Sequence, residues 1–230
     1  MSPERPKRPD RVRPDRTADA ALGPDAREEV LRRVRAALGP ARGTPVEVPR
    51  GYRRRLAPDQ APGRADVVAL FIERVAGHRV PVRHVVADEL PTAIAAALWG
   101  REAKRIAVPA DLPFGWLAEL DGVRAVPDTA AGVGAAGFDA LAVDGVVTGC
   151  AAAVAQTGTL VLDGGRGQGR RALALVPGHH VCVVHADQIV GTLAEAVARL
   201  DPARPLTWIT GPTAPGGPGA RALEVLVVDD

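Results

Sequence analysis

The sequence predicts an α/β domain built on a largely parallel sheet. Three observations carry the prediction. From "VRHVVA" onward, short apolar runs rich in valine alternate with segments of helical spacing. Of the 230 residues, 47% are hydrophobic and 24% charged, enough to bury one sizeable core. Aromatic residues make up only 3%, so that core must be built from Ala, Val and Leu.

Taken in order, residues 1–24 lack periodicity and are rich in Pro, Arg and Asp, with "RPKRPDRVRPDR" the densest basic stretch. Prolines and interspersed acids make this a disordered, solvated leader in preference to an RNA-binding arm, so a nucleic-acid partner is not expected. "DAREEVLRRVRAALG" sets Val30, Leu31, Val34, Ala37 and Leu38 at helical spacing, with Asp25 as N-cap and Gly39 as C-cap. A Pro/Gly-rich connection holding Tyr52 follows, which makes 25–63 a helix plus linker and 64–230 the main domain. That domain opens on "RADVVALFIERVAGH", a helix with Val67, Leu70, Phe71 and Val75 on one face.

"VRHVVA" then reads as a strand, "ELPTAIAAALWG" as a helix, "RIAVPA" as a strand, "PFGWLAEL" as a short helix and "FDALAVDGVVTG" as a run into another strand. Beyond it, "GTLVLDG", "RRALALVP" and "HHVCVVH" stand so close together that adjacent antiparallel strands are expected. "ADQIVGTLAEAVARL" reads as one helix capped by Asp187, and "LTWITGP" and "ALEVLVVDD" supply two final strands.

Several chemistries are excluded or left without support. The only serine is Ser2, so no serine nucleophile sits in the domain. The two cysteines, Cys150 and Cys182, lie in apolar runs with no C-x-x-C pair; buried, reduced thiols are expected, and no iron-sulfur cluster or other cofactor in this chain. His179 and His180 open a strand after Pro-Gly and read as loop or strand-edge residues without metal spacing, whereas His185 can face a crevice. Asp144 is either a strand-end carboxylate or a turn former. No apolar run has the length of a bilayer span and no signal-peptide core is present, which points to the cytoplasm.

The stretch "AQTGTLVLDGGRGQGRRALALVP" holds the candidate site. Its "DGGRGQGRR" loop has converging backbone N–H groups and arginines, yet it is neither a Walker motif nor a dinucleotide fingerprint, and a turn is the plainer reading. Thr157, Gly158 and Thr159 precede a strand, and Thr210, Gly211 and Thr213 in "ITGPT" follow one. Because ligands of open α/β sheets sit at strand carboxyl ends, the two Thr-Gly steps are expected to share one crevice for a small carboxylate or anion, with Arg166 or Arg170 at its rim. Otherwise they are strand bulges.

The order "D-x-V-V-T-G…A-x-T-G-T-L-V-L…G-R…L-x-L-V-P…H-x-x-V-V…D-Q-I-V…I-T-G-P" resembles the LUD domain of the lactate-utilisation protein C type, over about Asp25 to Asp230. The resemblance implies a three-layer α/β/α fold like the NagB/RpiA/CoA-transferase group, with the N-terminal helix as an extension. It also implies an accessory place in a system that oxidises L-lactate to pyruvate, with iron-sulfur centres on partner proteins. The alternative is a stand-alone enzyme or binding protein for a small phosphorylated or CoA-linked acid. Two departures stand out. Gln156 replaces the family's glutamate before Thr-Gly-Thr, and "APGGPGARALEVLVVDD" follows "ITGPT" at once, without the family's Asp-Ile-Glu and Gly-Val-His-Gly-Pro elements. Either activity is lost, or function does not need those side chains, or the sequence omits a segment. Turnover of lactate by the isolated chain is not expected.

Overall fold

The computed structural model describes residues 24–39, 55–57, 63–129, 143–175, 178–211 and 221–229. The leader up to residue 23, Tyr52 and Thr213 lie outside them. The chain divides into two compact units, Met1–Gly51 and Tyr52–Asp230. In the first, helix α1 spans Pro24–Leu38 and stops at Gly39 (φ 61°), as its sequence predicts. It starts one residue before the expected cap, so Asp25 lies in its first turn.

The second unit is organised by a six-stranded sheet in the order β1 (Val82–Val86), β10 (Arg221–Asp229), β7 (Gly178–His185), β4 (Gly145–Thr148), β2 (Arg105–Pro109) and β3 (Arg124–Asp128). Every neighbouring pair is parallel. Alternate side chains of these strands point to opposite faces. On one face, helix α3 (Leu90–Trp99) buries Ile94 and Leu98 against Ile106, Val108, Val147, Val181 and Leu226. On the other, Cys182, Val184, Val225 and Val227 meet helix α2 (Arg64–Gly77) through Phe71 and Val75. Phe71 is 0% exposed, so truncating it to alanine costs about 3–5 kcal/mol.

Beside α2 lies a second sheet, ordered β8 (Ile189–Val190), β5 (Ala152–Val154), β6 (Thr159–Leu162) and β9 (Thr207–Thr210). β6 is antiparallel to both neighbours, and β5 and β8 are parallel. Leu160 and Leu162 of β6 face the central core, while Val161 turns outward to meet Ala196 of helix α4 (Leu193–Arg199). The fold is thus the expected layered α/β architecture around a parallel sheet, but one outer layer mixes a helix with a small sheet.

Three expectations need correction. "GTLVLDG", "RRALALVP" and "HHVCVVH" are not three adjacent antiparallel strands: β6 belongs to the small sheet and β7 to the parallel one. Between them Leu173–Leu175 form a 3-10 turn, because Leu173 is fully buried against Ala107 and Val146 and tucks under the preceding loop. β7 runs parallel between β4 and β10 because its unbroken apolar run suits a strand covered on both faces. "ADQIVGTLAEAVARL" is not one helix either. It divides into a 3-10 turn (Ala186–Gln188), β8 and α4, and Thr192, not Asp187, caps the helix, accepting from Glu195 N at 3.3 Å in a capping box. "PFGWLAEL" holds only a 3-10 turn, Phe114–Leu117. β3 was not expected from the sequence: its proline, Pro127, is tolerated because the strand lies at the sheet edge.

Candidate functional site

The two Thr-Gly steps do come together. β6 and β9 pair with Thr159 opposite Thr210, and the Thr159 and Thr210 hydroxyls are 2.7 Å apart, with Thr157 Oγ1 2.8 Å from Thr159 Oγ1. The three hydroxyls thereby form one hydrogen-bonded chain. Gly158, at φ 64°, turns the β5–β6 hairpin so tightly onto α2 that an added Cβ would sit 2.9 Å from Val75 N. His78, at the end of α2, bonds the Thr157 carbonyl at 2.9 Å. The close approach that demands glycine is therefore to a helix, and the segment is the turn of the β5–β6 hairpin.

The arginines expected at that rim lie at the other end of β6, about 10 Å away at the rise of a four-residue strand. There the glycine loop borders a cleft of about 840 Å³. Ala110 and Asp111 follow β2 into it, Asp128 ends β3 and Asp163 follows β6. Gly149, just past β4, donates to Gly167 O at 2.8 Å, so the loop sits over the carboxyl end of β4. β2 has its successor β3 on one side and β4 on the other, so connections leave this part of the sheet in opposite directions, the crevice in which open α/β sheets hold ligands.

The loop is held by side chains. Asp163 N donates to Gln168 Oε1 at 2.7 Å, and Gly165 N donates to Asp163 Oδ1 at 2.9 Å. Gly169 has φ 69°, and a Cβ there would collide with Leu173 Cδ1. Arg170 does not reach outward: its Nε lies 3.0 and 3.1 Å from the two Asp128 oxygens, and its Nη2 also bonds Oδ1. Arg204 Nη1 pairs with Asp163 Oδ2 at 3.2 Å. Among the described residues Arg166 and Arg171 have no such partner, and Asp111 is the lining carboxylate without one. Two uncompensated guanidiniums against one carboxylate leave the cleft biased toward anions. Sequence reasoning put Arg166, Arg170 and Arg171 in the glycine loop and Arg166 or Arg170 at the rim; it missed Arg204, Asp111, Asp128 and Asp163.

Elsewhere, Asp144 proves a turn former. It accepts from Arg105 N at 2.8 Å and Lys104 N at 2.7 Å, which hold its carboxyl below the usual range, at the sheet end opposite the cleft. His179 and His180 are not edge residues but lie inside β7, 4% and 1% exposed. His180 Nε2 stands 2.8 Å from Thr148 Oγ1, and His179 Nε2 3.5 Å from Glu224 Oε2. The His185 ring lies beside that of Trp116, centroids 6.1 Å apart and tilted by 36°. Cys150 and Cys182 are buried, and the Cys182 thiol, then burial itself, push the Cys150 thiol well above its ordinary value. Among the described residues no group of three or more His, Cys, Asp or Glu is placed to hold a metal, and no helix is long and apolar enough to cross a membrane.

Both the sequence and the fold have counterparts among known proteins. The LUD domain family model matches residues 129–215. The lactate utilization protein C of Deinococcus radiodurans is 41% identical over 179 residues, which cover 72% of this chain and 81% of that protein. The chain belongs to the LUD domain family. The crystal structure of a DUF162 family protein from Deinococcus radiodurans matches with a TM-score of 0.60 at 40% identity, covering 72% of this chain and 98% of that one.

Proposed function

We propose that this chain is an accessory subunit of an L-lactate utilisation system in the cytoplasm, and that its arginine cleft holds a small carboxylate or other anion. The relative named lactate utilization protein C supports the first part. The second rests on one observation: Arg170 and Arg204 are neutralised by Asp128 and Asp163, whereas Arg166 and Arg171 are not. Oxidising lactate to pyruvate removes two electrons, and in this reading iron-sulfur partner proteins receive them. This chain contributes anion binding by guanidinium and loop N–H groups.

The volume of about 840 Å³ far exceeds a three-carbon acid and favours a second reading, in which the ligand is a larger phosphorylated or CoA-linked acid. Calorimetry on the full chain with lactate, pyruvate and inorganic phosphate separates these. Saturable binding of an anion, lost in the Arg166→Ala/Arg171→Ala double variant, is the expected result; equal binding by the double variant sinks the cleft assignment. Oxidation of lactate by the chain mixed with its iron-sulfur partners, and not by either alone, tests the accessory role.

A further inference from the structure

A second cleft, of about 420 Å³, opens between the first half of α2 and the carboxyl ends of β1 and β10. It shares no lining residue with the arginine cleft. One wall is apolar, formed by Ala65, Val68, Ala69 and Ile72 of α2. The other carries His84 and Asp229, from neighbouring parallel strands, with His84 Nε2 2.9 Å from Asp229 Oδ2. Their side chains are 42% and 52% exposed, so the pair is open to a ligand. Arg64 closes the end, its Nη1 donating to Ile189 O at 2.7 Å and its Nη2 to Ala186 O.

Hydrogen-bond capacity narrows what fits. A carboxylate accepts only, so Asp229 takes the Nε2–H of His84, and in the uncharged form of the ring the lone pair then lies on Nδ1. Nδ1 has no partner among the described residues and asks for a donor such as a hydroxyl. Arg64 has five N–H groups and engages two carbonyls, which leaves donors for a carboxylate. The α2 wall asks for hydrocarbon beyond a single methyl.

We propose that this cleft binds an aliphatic α-hydroxy acid with a tail longer than that of lactate. The tail lies on Val68 and Ile72, the hydroxyl donates to His84 Nδ1, and the carboxylate meets Arg64. The assignment does not rest on the function proposed for the arginine cleft.

The test titrates the full chain with α-hydroxyisocaproate, isocaproate and lactate, followed by saturation-transfer NMR and calorimetry. α-Hydroxyisocaproate is expected to bind about tenfold more tightly than lactate, from the added buried methylenes. His84→Ala weakens it about fivefold, the worth of one hydrogen bond, and leaves isocaproate, which has no hydroxyl, unchanged. Ala69→Leu, which fills the cleft from an exposed helix position, abolishes binding of both. Unaltered melting temperatures show that the variants are folded. No binding by the unsubstituted chain at millimolar concentration, binding indifferent to both substitutions, or equal weakening of isocaproate by His84→Ala overturns the proposal.

Discussion

Arg170 closes on Asp128 twice, its backbone N–H donating to Oδ2 at 3.2 Å while its guanidinium spans both oxygens, across 42 residues of sequence. The Asp128 side chain is 1% exposed and that of Arg170 47%. A carboxylate buried at the end of an edge strand thus depends on one residue that ends the glycine loop.

Removing that partner leaves the charge uncompensated. Arg170→Met is expected to destabilise the chain by about 2–3 kcal/mol, less than for a fully buried pair because half of the guanidinium is solvated. Urea unfolding measures the loss. Asp128→Asn combined with Arg170→Met should recover part of it, and a double variant no better than the single one would contradict the pairing.

The two ends of β6 should respond differently to added bulk. Gly158→Val forces a β-branched residue to φ 64° against the α2 backbone, and a loss of more than about 2 kcal/mol is expected, with anion affinity of the surviving folded protein unchanged. Gly165→Ala places a Cβ 2.7 Å from Asp163 Oδ1 and 3.0 Å from Arg204 Nη1, atoms of side chains that can move. It should cost little stability and alter anion binding, which calorimetry reads directly.

Glu224 sets part of the acid limit. Burial alone would raise its carboxyl, but the His179 imidazole and the Arg83 guanidinium, at 2.5 Å, outweigh it and hold it below its ordinary value. A group lowered on folding stabilises above its unfolded pKa, about 4.3, and that contribution drains away as pH falls through the folded value. Melting temperature should therefore fall on acidification below about pH 4, and Glu224→Gln should flatten that limb by about 3 °C. The slope will not vanish, because Asp144 contributes with the same sign.

Neither thiol should react with an aromatic disulfide reagent in the folded chain, and both should react in denaturant, because the thiolate of buried Cys150 is disfavoured. Two buried cysteines are too few to ligate a cluster, so protein purified alone should carry no stoichiometric iron by inductively coupled plasma analysis.

The parallel core was legible because its strands are apolar runs and its helices keep a 3.6-residue period, as in "VRHVV" and "RADVVALFIERVAG". Strand pairing was not, since proximity in sequence suggested that β6 and β7 were neighbours while the chain sends them to different sheets. The break before α4 had a readable sign in Thr192-x-x-Glu195, the capping box that outweighed the run of helix formers. The side-by-side placement of Thr159 and Thr210 was legible in the matching Thr-Gly steps, whereas the approach of Gly158 to α2 was not, because it depends on tertiary packing. Asp111, Asp128 and Asp163 share one faint signal, a carboxylate at or just past a strand end; nothing local joins them to Arg204, which the β6–β9 pairing brings across.

The small sheet is stitched from two separate excursions of the chain, β5–β6 leaving after β4 and β8–β9 leaving after β7, and its seams are β5 with β8 and β6 with β9. Asp163 arrives on the first excursion and Arg204 on the second, 41 residues later. The cleft therefore has both walls only when both excursions are in place. An anion that binds there binds the folded chain alone, so raising its concentration should raise the midpoint of thermal unfolding, and a midpoint indifferent to anion would count against the cleft.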